Sequence, residues 1–277
     1  MIDLPVAASE LTFIVVVLLA GGCATGFIAG LLGIGGGGIM VPVLYEVFSI
    51  LEVDPAIRMQ MSVGTALAVM IPTSLQSFWA HASRGAADMG IVRRLALPVM
   101  LGVIGGSIIA KFAHSDTFKW VWIICSTLLA AKMLFGREHW RLGAAVPRSR
   151  WLEVYAVGIG IISSLMSIGG GAFITMMMTL YGRTIQQAVA TASGFGPVVA
   201  LPGVIGFMWA GWGHTGLPPL SAGFVSLIGA AIMVSASVVT APLGARLAHG
   251  FSRRALELAF GFFLTAVAIR FAVTFFD

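Results

Sequence analysis

Apolar runs of about twenty residues alternate along this chain with short polar or basic segments, and that length suits a helix crossing roughly 30 Å of hydrocarbon. Spans are predicted over 11–32, 59–80, 95–112, 118–135, 152–167, 188–210, 220–248 and 255–276. Two runs carry an interruption. LLGIGGGGIMVPV (31–43) holds four consecutive glycines, and MSIGGGAFITMM (166–177) holds three at the matching place about 134 positions later. Each glycine costs roughly 1 kcal/mol against alanine inside a helix, so these runs should break the helices that contain them. The segments that follow, 39–50 and 172–181, are too short to span and read as half-helices. Broken backbone at membrane depth is tolerated only where it is buried in protein or lines a polar cavity. Two breaks therefore predict one shared cavity.

The elements come in the same order twice. Val63-Gly64-Thr65-Ala66 matches Val189-Ala190-Thr191-Ala192, Gln60 and Gln186 each stand five positions before their threonine, and Gly106–Ala110 resembles Gly244–Ala248. The expected organisation is a duplicated five-element unit in one transmembrane domain: repeat one about 10–136, a polar linker 137–150, repeat two 151–276. Gly22, Gly26, Gly30, Gly102 and Gly106 recur at four-residue spacing, which makes flat faces for close helix contact. Arg84, Arg93 and Arg94, Lys132 with the linker arginines 137, 141, 148 and 150, and later Arg183, Arg246, Arg253 and Arg254 mark the basic loops; Arg58, Lys111, Lys119 and Arg270 lie at the opposite ends. Putting the basic loops in the cytoplasm gives a consistent path if each broken element returns to its own side. The two halves then have inverted topology, as in many secondary transporters, and both termini are extracytoplasmic.

Composition agrees with an all-α polytopic membrane protein: 58% hydrophobic and 10% charged residues, with mean hydropathy +1.00. The net charge of +5 does not point to nucleic acid, because the basic residues sit in inter-helix loops and not in a patch interleaved with aromatics. The first ten residues hold Asp3, Glu10 and no cation, unlike a cleaved signal peptide, and the same lack argues against a lipoprotein cleavage box at LLAGGC. Cys23 and Cys125 fall in apolar helices and read as buried thiols without a disulfide. The five histidines are scattered, without metal spacing or a partnered nucleophile, so neither an enzyme nor a metal site is expected and no cofactor is implied. Gly33–Gly38 with Asp54 imitates a dinucleotide fingerprint, but a membrane helix precedes it where a strand is required. No midplane carboxylate offers itself as a proton carrier, while coupling to sodium held by backbone oxygens stays open.

The glycine runs have a chemistry of their own. A half-helix N-terminus presents unpaired N–H groups and about half a positive charge, and a glycine backbone lets an oxyanion approach closely. The candidate substrate-binding residues are Gly35, Gly36, Gly37 and Gly38, Gly169, Gly170 and Gly171, the hydroxyls of Thr65, Thr191 and Ser193, and the amides of Gln60 and Gln186. Two termini converging from opposite halves would replace much of an anion's hydration.

Five motifs then carry a family resemblance. LLGIGGGGIMVPVLY, VGTALAVMIPTSLQS, SIGGGAFITMMMTLYG, AVATASGFGPVVALPGVIGF and TAPLGARLAH, in that order, resemble the TauE/SafE sulfite exporter family, also called the toluene sulfonate uptake permease superfamily. Where members often read G-T-S, this chain has Gly64-Thr65-Ala66 and Ala190-Thr191-Ala192. The resemblance implies a bacterial inner-membrane carrier of sulfite, thiosulfate, sulfoacetate or a related sulfur anion. An anion channel built on the same glycine-lined site is the alternative. An intramembrane enzyme or a structural membrane component is a third, disfavoured by the missing catalytic constellation.

Overall fold

The computed structural model describes residues 8–32, 37–82, 87–136, 143, 146–147, 149–247 and 253–275; Gly33–Gly36, Arg84 and most of the linker lie outside them. The elements are α1 (Ala8–Leu32), α2 (Gly37–Ile50), α3 (Pro55–Ala82), α4 (Met89–Phe112), α5 (Ser115–Phe135), α6 (Arg150–Met166), α7 (Gly171–Leu180), α8 (Ile185–Ser193), α9 (Phe195–Ala210), β1 (Ser221–Ala222), β2 (Val225–Ser226), α10 (Leu227–Leu247) and α11 (Arg253–Val273). The second predicted interruption coincides with the end of α6 and the start of α7; the first, at Gly33–Gly36, lies outside the described residues. Four described helices are long and apolar enough to cross a membrane: Met89–Phe112, Ser115–Phe135, Gln186–Ala210 and Leu227–Gly244.

α4 explains why water is the wrong surroundings. Its buried face carries Leu95, Val99, Gly102, Val103, Gly106 and Ala110, yet its exposed face carries Leu97, Leu101, Ile104 and Ile108. A helix apolar all round belongs either in a large core or in lipid. α3 is the helix in the core: from Met59 to Leu67 every residue is buried, including Gln60, Ser62 and Thr65. α9 packs along α3, α5 packs on α11, and the two most extensive contacts are α1 on α10 and α4 on α6.

Glycine makes those two contacts possible. A Cβ on Gly26 would collide with the Ser237 carbonyl of α10, and one on Gly160 with the Val99 carbonyl of α4. On the partner helices a Cβ at Gly244 would meet the Phe27 carbonyl, and one at Gly106 the Ser164 hydroxyl and the Ile161 carbonyl. Gly22 and Gly102 are similarly confined, so of the glycines read from spacing as packing residues, Gly22, Gly26, Gly102 and Gly106 do pack closely against a partner helix.

Two hydrogen bonds hold the starts of α4 and α10. Asp88 caps α4, its Oδ1 accepting from the N–H groups of Gly90 and Ile91 at 3.1 and 3.2 Å. Ser226 caps α10, its hydroxyl accepting from Gly229 N–H at 3.2 Å. Capping leaves each cap residue's own N–H to find an acceptor. The Thr191 hydroxyl on α8 accepts from Asp88 N–H at 2.9 Å, and the Thr65 hydroxyl on α3 accepts from Ser226 N–H at 3.0 Å. The same hydroxyl of Thr191 donates to Gln187 O at 2.7 Å.

Polar contacts gather at two ends. At one, Arg94 pairs with Glu153 at 3.6 Å, Arg183 with Asp88 at 3.7 Å, and Arg254 donates to the carbonyls of Met133 and Leu134 at 2.8 and 2.6 Å. At the other, Arg270 pairs with Glu46 at 3.0 Å, Lys119 with Asp116 at 3.0 Å, and Lys111 lies 4.0 Å over the Trp209 ring. Exposed tryptophans cluster near the same levels, Trp79 and Trp151 towards the first, Trp120, Trp209 and Trp212 towards the second, as at the two faces of a bilayer.

Three details depart from the pattern. The span expected over 220–248 begins as a two-stranded ribbon, Ser221 opposite Ser226 and Ala222 opposite Val225, because Leu220 and Gly223 take positive φ and turn Phe224 inward onto α9. α8 and α9 meet at Gly194 within what reads as one span. Both cysteines are free, but Cys23 is exposed and Cys125 half-buried, so neither is the fully buried thiol expected; in an apolar helix, lipid serves a small thiol as well as a core does.

Two outcomes follow. Gly160→Leu should abolish folding into monodisperse protein, because its side chain would enter the α4 backbone, whereas Gly158→Ala, with nothing within 4 Å of the new Cβ, should leave the melting temperature unchanged or raised; size-exclusion profiles and thermal melts in detergent decide. Thr65→Val and Thr191→Val should each cost about 1–2 kcal/mol by leaving a buried N–H unpaired. Serine at either position should restore most of that loss in the same melts.

Candidate functional site

The second glycine run forms a complete, buried helix break. α6 stops at Met166; Ser167 takes a left-handed φ of 53° and Gly170 a φ of 68°. Ile168, Gly169 and Gly170 are all buried. α7 then starts at Gly171 with no side chain capping it. Gly170 N–H bonds to Ile168 O, and Ile174 N–H returns to Gly170 O at 2.9 Å. Between them the N–H groups of Gly171, Ala172 and Phe173 find no acceptor among the described residues. A buried helix start with free donors is what an anion requires, because the groups already point at the place it would occupy.

The start of α2 lies beside this turn. A Cβ on Gly37 would overlap the Ser167 carbonyl, and one on Gly38 would come within 3.9 Å of Ile168 Cδ1 and 3.2 Å of the Phe260 ring. Gly37, Gly38, Gly169, Gly170 and Gly171 are therefore brought together, while Gly35 and Gly36 lie outside the described residues. α3 and α9 close the other side. Met70 Sδ is 3.2 Å from the position of a Cβ on Gly169, and Gly196 Cα is 3.5 Å from it.

The remaining candidates sit elsewhere or are engaged. Thr65 and Thr191 are fully buried and accept the cap N–H groups of α10 and α4. The Ser193 hydroxyl donates to Ala190 O at 2.8 Å, beside the α8–α9 junction. Gln60 is buried near the opposite end of α3, where its amide donates to Ala113 O at 3.0 Å, and Gln186 is exposed in the first turn of α8. Neither glutamine adjoins the glycine runs.

Ser163 and Ser167 were not singled out in the sequence, yet both stand against the break. Each is fully buried and its hydroxyl has no partner among the described residues. The signal was present as SSLMSIGGG, serines at one-turn spacing leading into glycines. Serines in membrane helices ordinarily bond their own backbone, as Ser164 does to Ile161 O at 2.8 Å, so the motif alone does not announce a site.

Comparison with known proteins agrees with this architecture. Residues 18–271 match the family described as sulfite exporter TauE/SafE. A probable membrane transporter protein of Haemophilus influenzae is 32% identical over 93% of this chain and 97% of its own length. One of Methanocaldococcus jannaschii is 24% identical over 90% of this chain and 92% of its own length. No solved structure matches the chain. With nearly its whole described length matched, from within α1 to the end of α11, this protein belongs to the sulfite exporter TauE/SafE family.

Proposed function

We propose that this protein is a secondary transporter of small sulfur-containing oxyanions or organosulfonates, such as sulfite, thiosulfate or sulfoacetate, in the bacterial inner membrane. Family membership and the relatives' names supply the class. The observation that carries the mechanism is the uncapped N-terminus of α7, buried at the level of Met70 and therefore well inside the protein. Gly169, Gly170 and Gly171, with Gly37 and Gly38 beside them, let the anion touch backbone, and α2 brings a second positive helix end. Gly35 and Gly36 complete the first run in sequence. Thr65, Thr191 and Ser193 serve the site indirectly, through the helices they hold; Gln60 and Gln186 fall outside it in this conformation.

The chain is read as two repeats of opposite topology, 10–136 and 151–276, joined by the linker 137–150. Matching contacts support this. α1 lies on α10 as α6 lies on α4, and α3 and α5 meet their own counterparts α9 and α11. Gly26 meets Ser237 as Gly160 meets Val99, and Thr65 holds Ser226 as Thr191 holds Asp88. With Arg94, Arg183 and Arg254 on the cytoplasmic side, α1 and α2 enter and return from outside, α6 and α7 from inside, and both termini are extracytoplasmic. Alternating exposure of a fixed site then follows from the near-equivalence of inward and outward forms.

Orientation is checked by labelling intact cells with a membrane-impermeant maleimide after Cys23 and Cys125 are replaced. Thr215→Cys should react at once, and Arg150→Cys only after permeabilisation; the reverse pattern would invert the topology. For function, proteoliposomes loaded in turn with sulfite, thiosulfate, sulfoacetate or a simple alkanesulfonate should show saturable flux and counterflow for at least one of them. Gly170→Val should reduce it at least tenfold per folded molecule, since a side chain there fills the helix start in a strained φ that also lowers the folding yield. Flux without saturation or counterflow identifies a channel, and the absence of flux for every sulfur anion removes the proposal.

A further inference from the structure

The hydroxyls of Ser163 and Ser167 are the unexplained polar groups nearest the break. A helical serine at position 163 has the carbonyl four residues earlier within reach, as Ser107 uses Val103 O at 2.9 Å and Ser126 uses Trp122 O. Ser163 makes no such bond. Its Oγ lies 3.7 Å from the place of a Cβ on Gly170, the residue before α7; Ser167 Oγ lies 3.2 Å from that of a Cβ on Gly37, the first residue of α2. One free hydroxyl thus flanks each of two adjoining helix starts. A buried hydroxyl with nothing to bond is unfavourable, so both positions are explained by a ligand that accepts hydrogen bonds.

Charge narrows the ligand. Lys119 is, among the described residues, the one charged side chain in the buried set, and it is bound to Asp116 at 3.0 Å in the first turn of α5, at the opposite end. Among the described residues no buried arginine or lysine is therefore on hand to neutralise an anion at the break. What remains is about half a charge from the start of α7, plus hydroxyl and N–H dipoles. A second negative charge would be buried without compensation. The walls add a preference: Met70 Sδ and Phe195 Cβ stand 3.2 and 3.7 Å from the Cβ places of Gly169 and Gly170, apolar surface suited to a carbon substituent.

From this we infer that Ser163 and Ser167 donate to the bound anion and that the site, lacking a cation, selects a singly charged sulfonate-type oxyanion over a doubly charged one. The inference rests on the transporter reading of the same break and narrows it: hydrogensulfite and simple alkanesulfonates remain good substrates, while thiosulfate and sulfoacetate, dianions at neutral pH, become poor ones. The donors are unequal between halves, since the positions matching Ser163 and Ser167 in the first glycine element are Ala29 and Gly33. Recognition is thus placed chiefly on the second half.

Methanesulfonate and sulfate separate charge from shape, both being tetrahedral oxyanions. Titrated calorimetrically into protein in nanodiscs, methanesulfonate should bind at least tenfold more tightly than sulfate. Ser163→Ala and Ser167→Ala should each weaken it about five- to tenfold, one lost hydrogen bond's worth, while Ser164→Ala leaves it unchanged. Sulfate binding as tightly as methanesulfonate overturns the charge selection on the wild-type protein alone, whatever the variants do. Serine variants that bind and transport as wild type overturn the donor assignment and leave the transporter reading standing. Failure of wild type to bind or carry any sulfur anion overturns both.

Discussion

A backbone N–H or C=O within a bilayer has no water to fall back on, so a membrane helix can be broken only where protein or ligand takes over its hydrogen bonds. This chain breaks a helix at Ser167–Gly170 and buries the break completely. Much of the fold follows from making that tolerable. α3, wholly buried from Met59 to Leu67, and α9 wall the break on one flank, and Gly37 of α2 leans on it from another. The helices outside carry apolar residues to the lipid. The donors left at the start of α7 are consistent with this constraint only if something else accepts from them.

Holding two such elements in place demands close contact without a hydrophobic driving force, since lipid competes equally for apolar side chains. The chain answers with glycine. Gly22, Gly26, Gly102, Gly106, Gly160 and Gly244 bring α1 to α10 and α4 to α6 at backbone distance. The threonine bonds supply direction that glycine lacks. Each cap residue uses its side chain on its own helix and presents its N–H to a threonine of α3 or α8, fixing where α4 and α10 begin.

The sequence made the helical class, the break at Ser167–Gly170, the packing role of most of the glycines and the family legible, because each depends on local composition or on motifs in order. It showed that Thr65 and Thr191 are special without showing why. Their partners Ser226 and Asp88 are 161 and 103 residues away, and no local pattern joins a helical hydroxyl to a remote cap. The turn at Leu220–Gly223 was hidden for a related reason: SAGFVS is apolar enough to extend a span, and two positive φ angles decide otherwise. Gln60 and Gln186 misled because equal spacing from a threonine fixes a register, not depth. One lies buried among the loops at the end of α3 and the other faces outward. Ser163 and Ser167 were legible as serines, but their lack of partners is a property of the folded interior.

The contacts also limit how such a molecule can move. The extensive pairings α1 with α10, α4 with α6, α5 with α11 and α3 with α9 each join one half of the sequence to the other. Sliding the halves past one another as two bodies would pull backbone from backbone at every glycine crossing and strip both cap residues of their acceptors. Two interleaved bodies fit the contacts better: α1 with α10, and α6 with α4, each held internally by glycine. Under the proposed function relative motion would then fall on the contacts around α2 and α7, which carry Gly37 and Gly171. The binding groups and the moving parts would, on that reading, be the same short helices, so occupancy of the break would bear directly on which arrangement is stable.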